Sequence, residues 1–394
     1  MKILQVISSF PPAYSYGGAL NVAYHLSKKL VMIGHDVTVY TTDVYNSQSR
    51  LDYKENPEIM DGITVYRFRN ISNYLSRKNF TCSPSMLFSL KNQIKQFDII
   101  HLHEYRSFQA IFAFYYAQKY NIPYILQAHG SVLPFFEKET LKKMFDVVWG
   151  NKIIKNASKV IAVSKVEREQ YLKMGIPENK IAIIPNGFDV SEYENLPERG
   201  KFRQKYNIKP EEKLILYLGR LHKSKGLDFL INGYLQIYNQ NQLIKLVLAG
   251  PNDGFLDEIM SQIQKKNIMK SVLVTDPLYG IEKLEAYVDA DVLVYPGILE
   301  IFGLVPFEAI MCGTPVIVCD DCGCGEIIRE ADCGYLVKYG DNDNLAEILQ
   351  YALEHPDENK KMVKNGQRYI QDIISWNKVI MQIERLYANC LCDI

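Results

Sequence analysis

Short runs of continuously apolar residues alternate along this chain with longer runs whose apolar positions recur every three or four residues. The first kind reads as strands buried on both faces and the second as amphipathic helices laid across them. Their alternation predicts parallel sheets of the α/β class. In the first half the expected strands are 2–10, 36–42, 63–68, 98–103, 123–129, 159–164 and 180–185, with helices over 19–33, closing before Gly34, and 85–97. The pattern breaks over 186–212, where Asn186-Gly187, Pro197, Gly200 and Pro210 stand among many charges, as in a linker. A second series follows, with strands over 213–218, 245–249, 271–275, 291–295 and 315–319. The segment 376–390 places Val379, Ile380, Ile383, Leu386 and Tyr387 on one helical face, which needs a surface to cover.

A chain of 394 residues is too long for one ordinary core. The expected division is a first domain over 1–187, a linker over 188–212, a second domain over 213–374 and a terminal segment over 375–394. Open parallel sheets bind ligands at the carboxyl ends of their strands, so polar residues at those ends are the ones to inspect. Charge changes the picture only by exclusion. The 45 basic and 45 acidic residues cancel, which gives no sign of a nucleic-acid partner. No apolar run approaches the ~20 residues of a membrane span, and polar Ser8 and Ser9 come too soon for a signal peptide. A cytoplasmic protein is expected. Of its 8 cysteines, Cys319, Cys322, Cys324 and Cys333 lie close together, but their spacing is not a paired CxxC framework, and reduced thiols are expected.

The most informative stretch runs from Glu300 through Ile301, Phe302, Gly303, Leu304, Val305, Pro306 and Phe307 to Glu308 and Ala309. It follows an expected buried strand and opens a helix that should run to about Cys312. Pro306 suits a first helical turn, where a missing N–H costs nothing. The backbone N–H groups from Phe302 to Val305 would then be unpaired at the positive end of the helix dipole, a site for a phosphate. Glu308 is placed in the first turn and Glu300 in the loop before it. Two carboxylates beside a phosphate site suit a ligand whose hydroxyls flank a diphosphate, such as a nucleotide sugar. Either glutamate alone is equally at home in a purely structural role, since acids favour helix starts.

Other strand ends carry compatible chemistry. Gly17-Gly18 follows the first strand and opens a helix, where glycine lets backbone approach an anion; a plain turn explains the pair as well, and it is not the GxGxxG of a dinucleotide fold. Gly219-Arg220-Leu221 ends the first strand of the second half, and Lys225-Gly226 follows before a helix. These two cations suit a diphosphate, the alternative being a solvated basic loop. His129-Gly130 ends another strand, and alternation puts His101 and His103 on one side of theirs, as polar packing rather than zinc ligands. Asp289 and Asp291, in a DxD arrangement, bridge a helix end and a strand start and read as structural; Asp343 reads as a helix cap. No metal site is expected. The stretches 74–80 and 131–143 mix Tyr74, Leu75, Arg77, Lys78 and Phe80, then Leu133, Phe135, Phe136, Lys138, Lys142 and Lys143. Such stretches suit an anionic membrane or a lipid-linked acceptor, or are ordinary surface.

Taken together, in this order, these segments resemble the retaining glycosyltransferase family 4, of the GT-B fold, over nearly the whole chain. The resemblance rests on Glu300 to Val316, Gly219-Arg220-Leu221 with Lys225-Gly226, Pro185-Asn186-Gly187-Phe188-Asp189, His129-Gly130 and Gly17-Gly18-Ala19. It implies two Rossmann-like, doubly wound domains facing a central cleft, the first on the acceptor side, the second binding nucleotide sugar, and the Trp376 helix crossing back to the first. By resemblance, Glu308 holds ribose hydroxyls and Arg220 and Lys225 hold the diphosphate. Phe302, Gly303, Leu304 and Val305 offer backbone N–H groups, Glu300 contacts the transferred hexose, His129 orients that sugar, and Gly17 and Gly18 lie near phosphates or acceptor. The cysteine-rich run 320–326 departs from the usual glycine-rich loop. The implied activity is transfer of a hexose-type sugar from a nucleotide-diphosphate sugar to a glycan or lipid-linked acceptor. It proceeds with retention and no metal cofactor, in surface polysaccharide or glycolipid synthesis at the inner face of the cell membrane. A 2-epimerase or hydrolase on the same donor site, or a non-catalytic binding subunit, are the competing readings.

Overall fold

The computed structural model describes the chain except residues 15–16, 47–48, 54, 73–80, 135–137, 299 and 393–394. The stretch 74–80, with Phe135 and Phe136, thus lies outside the described residues. The chain divides into two compact units, Met1–Gly187 together with Trp376–Ile394, and Phe188–Ser375.

The first unit is built on an eight-stranded sheet. Its strands are β1 (Lys2–Val6), β2 (Asp36–Thr42), β3 (Glu58–Met60), β4 (Ile63–Phe68), β5 (Ile99–His103), β6 (Tyr124–Gln127), β7 (Lys159–Ala162) and β8 (Ile181–Ile183). The order across the sheet is β3-β4-β2-β1-β5-β6-β7-β8, parallel except for the antiparallel β3–β4 pair. The chain winds outward in both directions from β1 and β5, which makes their carboxyl ends the place where strand order reverses. Two apolar layers cover the sheet's faces. One holds Leu4, Leu102, Tyr105, Leu126 and Tyr171. The other holds Ile3, Leu26, Val39 and Ile125, and is completed by the terminal helix Trp376–Cys392 through Val379, Ile380, Ile383, Leu386 and Tyr387. Trp376 lies against the backbone of Gly187, where a Cβ would collide with the indole.

The second unit carries six parallel strands: β9 (Lys213–Leu218), β10 (Ile244–Ala249), β11 (Val272–Thr275), β12 (Val292–Tyr295), β13 (Val316–Cys319) and β14 (Tyr335–Val337). Their order, β11-β10-β9-β12-β13-β14, is that of a doubly wound Rossmann-like sheet with its reversal between β9 and β12. Two strands escape the sequence pattern, β3 and β14, each 3 residues long and too short to show a period.

Residues 188–212 are not a free linker. They form part of the second unit, with Tyr193, Phe202 and Ile208 buried. The Arg203 backbone N–H donates to Asp289 Oδ2 at 2.9 Å, and its guanidinium donates to Asp291 Oδ2 at 2.7 Å and to the carbonyls of Lys209 and Glu212. Asp289 and Asp291 thereby clamp this segment to the sheet. A charge-rich composition suggests solvent, but here the charges pair inward.

Candidate functional site

The carboxyl ends of β9 and β12 flank the reversal point of the second sheet. The loop after β9 passes Gly219 and Arg220 to Lys225 and Gly226, where the helix Leu227–Gln240 begins. Gly226 adopts φ 67, and a Cβ there would collide with the Pro296 carbonyl, so only glycine lets the β9 and β12 loops approach this closely. Lys225 reaches across that contact and forms an ion pair with Glu300, both side chains largely buried. Tyr295, at the end of β12, donates to Glu300 Oε2 at 3.1 Å, and its hydroxyl lies 3.5 Å from Lys225 Nζ. Tyr217 stacks beside Tyr295 with centroids 6.4 Å apart and donates to the Arg220 carbonyl at 2.8 Å. Burial pushes both phenols well up, so they remain hydrogen-bond donors. The Arg220 guanidinium pairs with Asp253 at 2.6 Å, half-exposed. A partner held so loosely is readily exchanged for a ligand anion.

The helix after Glu300 spans Leu304–Met311. Gly303 stands at its N-cap with φ 71 and no capping side chain, which leaves the N–H groups of Leu304 and Val305 without a side-chain cap at the positive end of the dipole. Phe302, just before, buries its ring against Phe307. Glu308 lies in the second turn rather than the first, because the helix already starts at Leu304. The dipole is therefore not what holds it. Tyr287 donates to Glu308 Oε2 at 2.7 Å and Lys283 pairs with Oε1 at 3.1 Å. Glu192 and Tyr193 lie within electrostatic reach of the same carboxylate, whose charge adds to burial in pushing both groups up.

The cysteine-rich run is structural scaffolding beside this site. Cys322 caps the helix Gly323–Ala331, its Sγ accepting from the Gly325 N–H at 3.4 Å, and the Cys324 N–H donates to the Glu300 carbonyl at 3.0 Å. Burial pushes the Cys322 thiol up to about 11, so it stays protonated. Among the described residues no group of three or more His, Cys, Asp or Glu side chains is placed to hold a metal ion.

The first unit has its own cluster at the ends of β1, β5 and β6. Gly17, with φ 97, caps the helix Gly18–Met32 without a side-chain bond, and a Cβ on Gly17 or Gly18 would meet nothing within 4 Å. His129 adopts φ 50 beside Gly130, whose N–H donates to Glu167 Oε1 at 2.7 Å. Glu167 also accepts from the Val163 N–H at 2.8 Å, and burial pushes its carboxyl up to about 7. His101 and His103 share a face, rings stacked 4.3 Å apart, and His103 Nδ1 lies 2.9 Å from His129 Nε2. Glu104, with φ 67, accepts from the Ser8 hydroxyl at 3.0 Å.

Of the residues singled out from sequence, Lys225, Glu300 and the Gly303–Val305 turn are gathered at one crevice, with Arg220 on the same β9 loop. Glu308 sits further along the helix with its own partners. Gly17, Gly18 and His129 belong to the first unit. Sequence reasoning missed Tyr217, Tyr295, Lys283 and Tyr287. The signal available for the first two was a tyrosine at or next to the end of each of two buried strands, where an aromatic passes for core.

Comparison with known proteins agrees with this fold. Residues 198–369 match the family model described as glycosyl transferases group 1, and residues 16–192 match glycosyltransferase family 4. An uncharacterized glycosyltransferase of Methanocaldococcus jannaschii is 27% identical, the match covering 98% of both chains. The alpha-maltose-1-phosphate synthase of Mycobacterium tuberculosis is 26% identical over 74% of this chain and 79% of that protein. Among solved structures, Anabaena HepE in complex with UDP and glucose superposes with a TM-score of 0.78 at 19% identity, covering 99% of this chain and all (100%) of that one.

Proposed function

Because this chain belongs to glycosyltransferase family 4, we propose that it transfers a hexose-type sugar, with retention, from a nucleotide-diphosphate sugar to a glycan or lipid-linked acceptor. The observation that carries the reading is the Lys225–Tyr295–Glu300 cluster at the β9/β12 crevice, next to the uncapped N-terminus at Gly303. A departing diphosphate gains negative charge as the sugar becomes cationic. Lys225, Arg220 and the N–H groups of Leu304 and Val305 stabilise that charge without a metal. Glu300 receives hydroxyls of the transferred sugar, and its pairing with Lys225 keeps the ammonium in place before the donor arrives. Glu308, held by Tyr287 and Lys283, receives the ribose hydroxyls. His129 and the open backbone at Gly17 and Gly18 serve the sugar and acceptor. With no carboxylate nucleophile assigned, front-face attack within an ion pair accounts for retention.

A membrane-borne acceptor is supported by one surface of the first unit. Leu141, Met144, Val147, Val148 and Trp149 are exposed, in a stretch that also carries Lys142 and Lys143. Apolar side chains beside lysines fit an anionic lipid surface. No helix among the described residues is long and apolar enough to cross a membrane. Synthesis of surface polysaccharide or glycolipid fits such a placement.

The test is nucleotide release from UDP-, GDP- and ADP-sugars, with and without a membrane extract, for the wild type and Glu308→Ala. Acceptor-stimulated release that collapses in the variant is expected. Equal release without acceptor would replace transfer by hydrolysis or epimerisation, and an inverted product would overturn retention.

A further inference from the structure

The carboxyl end of the first sheet holds a file of hydrogen bonds that runs inward from His129. His129 Nε2 lies 2.9 Å from His103 Nδ1, and His103 Nε2 lies 2.6 Å from Gln5 Oε1. Gln5 Nε2 lies 3.4 Å from the Tyr387 hydroxyl, which lies 2.6 Å from His101 Nδ1. Beyond that, His101 Nε2 and Gln127 Oε1 are both buried with no partner at hydrogen-bond distance among the described residues, Gln127 lying close enough to His101 to oppose the downward push of burial. Gln127 Nε2 donates in turn to Asn186 Oδ1 at 3.1 Å. The strands β1, β5 and β6 supply most of the file, and the terminal helix supplies Tyr387.

A neutral imidazole has one donor and one acceptor nitrogen, a hydroxyl has one proton, and a primary amide separates its donors from its acceptor. Such groups in single file must all point the same way. The Gln5 amide turns its oxygen to His103 and its nitrogen to Tyr387, so His103 donates from Nε2 and accepts at Nδ1. His129 is left to carry its proton on Nε2. On the other side Tyr387 accepts from Gln5 and donates to His101 Nδ1, leaving the His101 proton on Nε2. A doubly protonated ring would place two donors in the file and break it. Burial opposes that by pushing His101 and His129 down to about 3 and His103 well below its ordinary value.

We propose that this directional file fixes His129 as the Nε2-protonated tautomer, leaving its Nδ1 lone pair to accept a hydrogen bond from a sugar hydroxyl. Gln5 and Tyr387 are then positioning residues that act through His103 without touching substrate. The part played by the sugar rests on the transferase reading above; the tautomer does not.

The experiment uses the full chain labelled with 15N in histidine rings and two-bond proton–nitrogen correlation spectra from about pH 5.5 to 8, the His129 signals being those lost in His129→Asn. The expected result is a protonated Nε2 and an unprotonated Nδ1 on His129 across the whole range. Tyr387→Phe and, independently, Gln5→Met are expected to shift His129 towards a mixture of tautomers, although neither side chain touches it. Both variants should lose about tenfold in kcat/KM, the worth of roughly one hydrogen bond to ligand. A protonated Nδ1 in the wild type overturns the proposal, as does an unchanged His129 spectrum in a folded variant. A merely structural role would lower the melting temperature and leave the tautomer alone. If no sugar nucleotide were turned over at all, the transferase reading would fail while the spectrum still decided the tautomer.

Discussion

Lys225 shows what a single side chain contributes here. It is largely buried, ion-paired with Glu300 and placed over the Tyr295 ring, 5.5 Å from its centroid. Lys225→Met keeps much of the apolar stem and removes the charge. It leaves Glu300 without its cation and the proposed diphosphate without one of its stabilisers, so kcat/KM for donor turnover is expected to fall about 100- to 1000-fold, measured by nucleotide release. A loss under about threefold would remove Lys225 from the proposed machinery. Glu167 makes a different prediction. Its carboxyl, buried behind Gly130 and pushed up to about 7, holds its proton in the folded chain at pH values where the unfolded chain has lost it. The unfolded state binds fewer protons over that window, so stability falls as pH rises from about 4.5 through about 7 and is flat above. The full contribution is about 3 kcal/mol. Glu167→Gln should flatten the change in unfolding free energy between about pH 5 and 7.5 relative to wild type; an unaltered pH profile would contradict the assignment. At this scale the sequence showed which residues end strands, hence His129, Arg220 and Glu300. It did not show their partners. Gln5 and Tyr387 come from the two ends of the chain, and only sheet register and helix docking bring them to His103 and His101.

Among the elements, the strands were the most legible, because a parallel strand covered on both faces leaves a continuous apolar run. β2, β4 and β9 have the boundaries that run predicts. Where polar residues take over at Ser8 and Ser9, β1 stops at Val6, short of the expected end at Phe10. The segment 188–212 misleads because proline, glycine and charge look alike whether they face water or pair inward with Asp289 and Asp291. The Leu304–Met311 helix starts early enough to put Glu308 in its second turn rather than the expected first, with Gly303 in a left-handed conformation at its N-cap. The contact of Gly226 with the Pro296 carbonyl joins the loops after β9 and β12, and that contact gives the crevice its width. Gly226→Ala adds left-handed strain and a backbone collision, costing about 2–4 kcal/mol. Denaturant unfolding should show this loss together with a raised KM for donor, since the loop carrying Glu300 must move. A variant as stable as wild type would mean the two loops give way independently.

The two units differ in how the chain builds them. The second is one continuous segment, Phe188–Ser375, with its own six-stranded sheet and its own buried residues, including those of the 188–212 stretch. The first is interrupted, and its apolar layer against β1, β2 and β5 is completed only by the helix Trp376–Cys392. Val379, Ile380, Ile383, Leu386 and Tyr387 are buried there, each worth ~1.5–3 kcal/mol on transfer from water. Their combined burial, on the order of 10 kcal/mol, is comparable with the whole stability of a typical domain, roughly 5–15 kcal/mol. Truncation after Ser375 is therefore expected to unfold the first unit, seen as loss of its native amide-exchange protection and exposure of dye-binding apolar surface. It also removes Tyr387 and so deprives His101 Nδ1 of its partner. The segment 188–375 expressed alone should fold, melt cooperatively and bind nucleotide diphosphate through Arg220, Lys225 and Glu308. The two halves of this prediction separate its causes. A truncated chain that keeps its first unit folded would show that the helix contributes far less than its buried area implies. An isolated 188–375 segment that stays unfolded would show that the second sheet depends on the rest of the chain, and that the donor site is not the property of one unit.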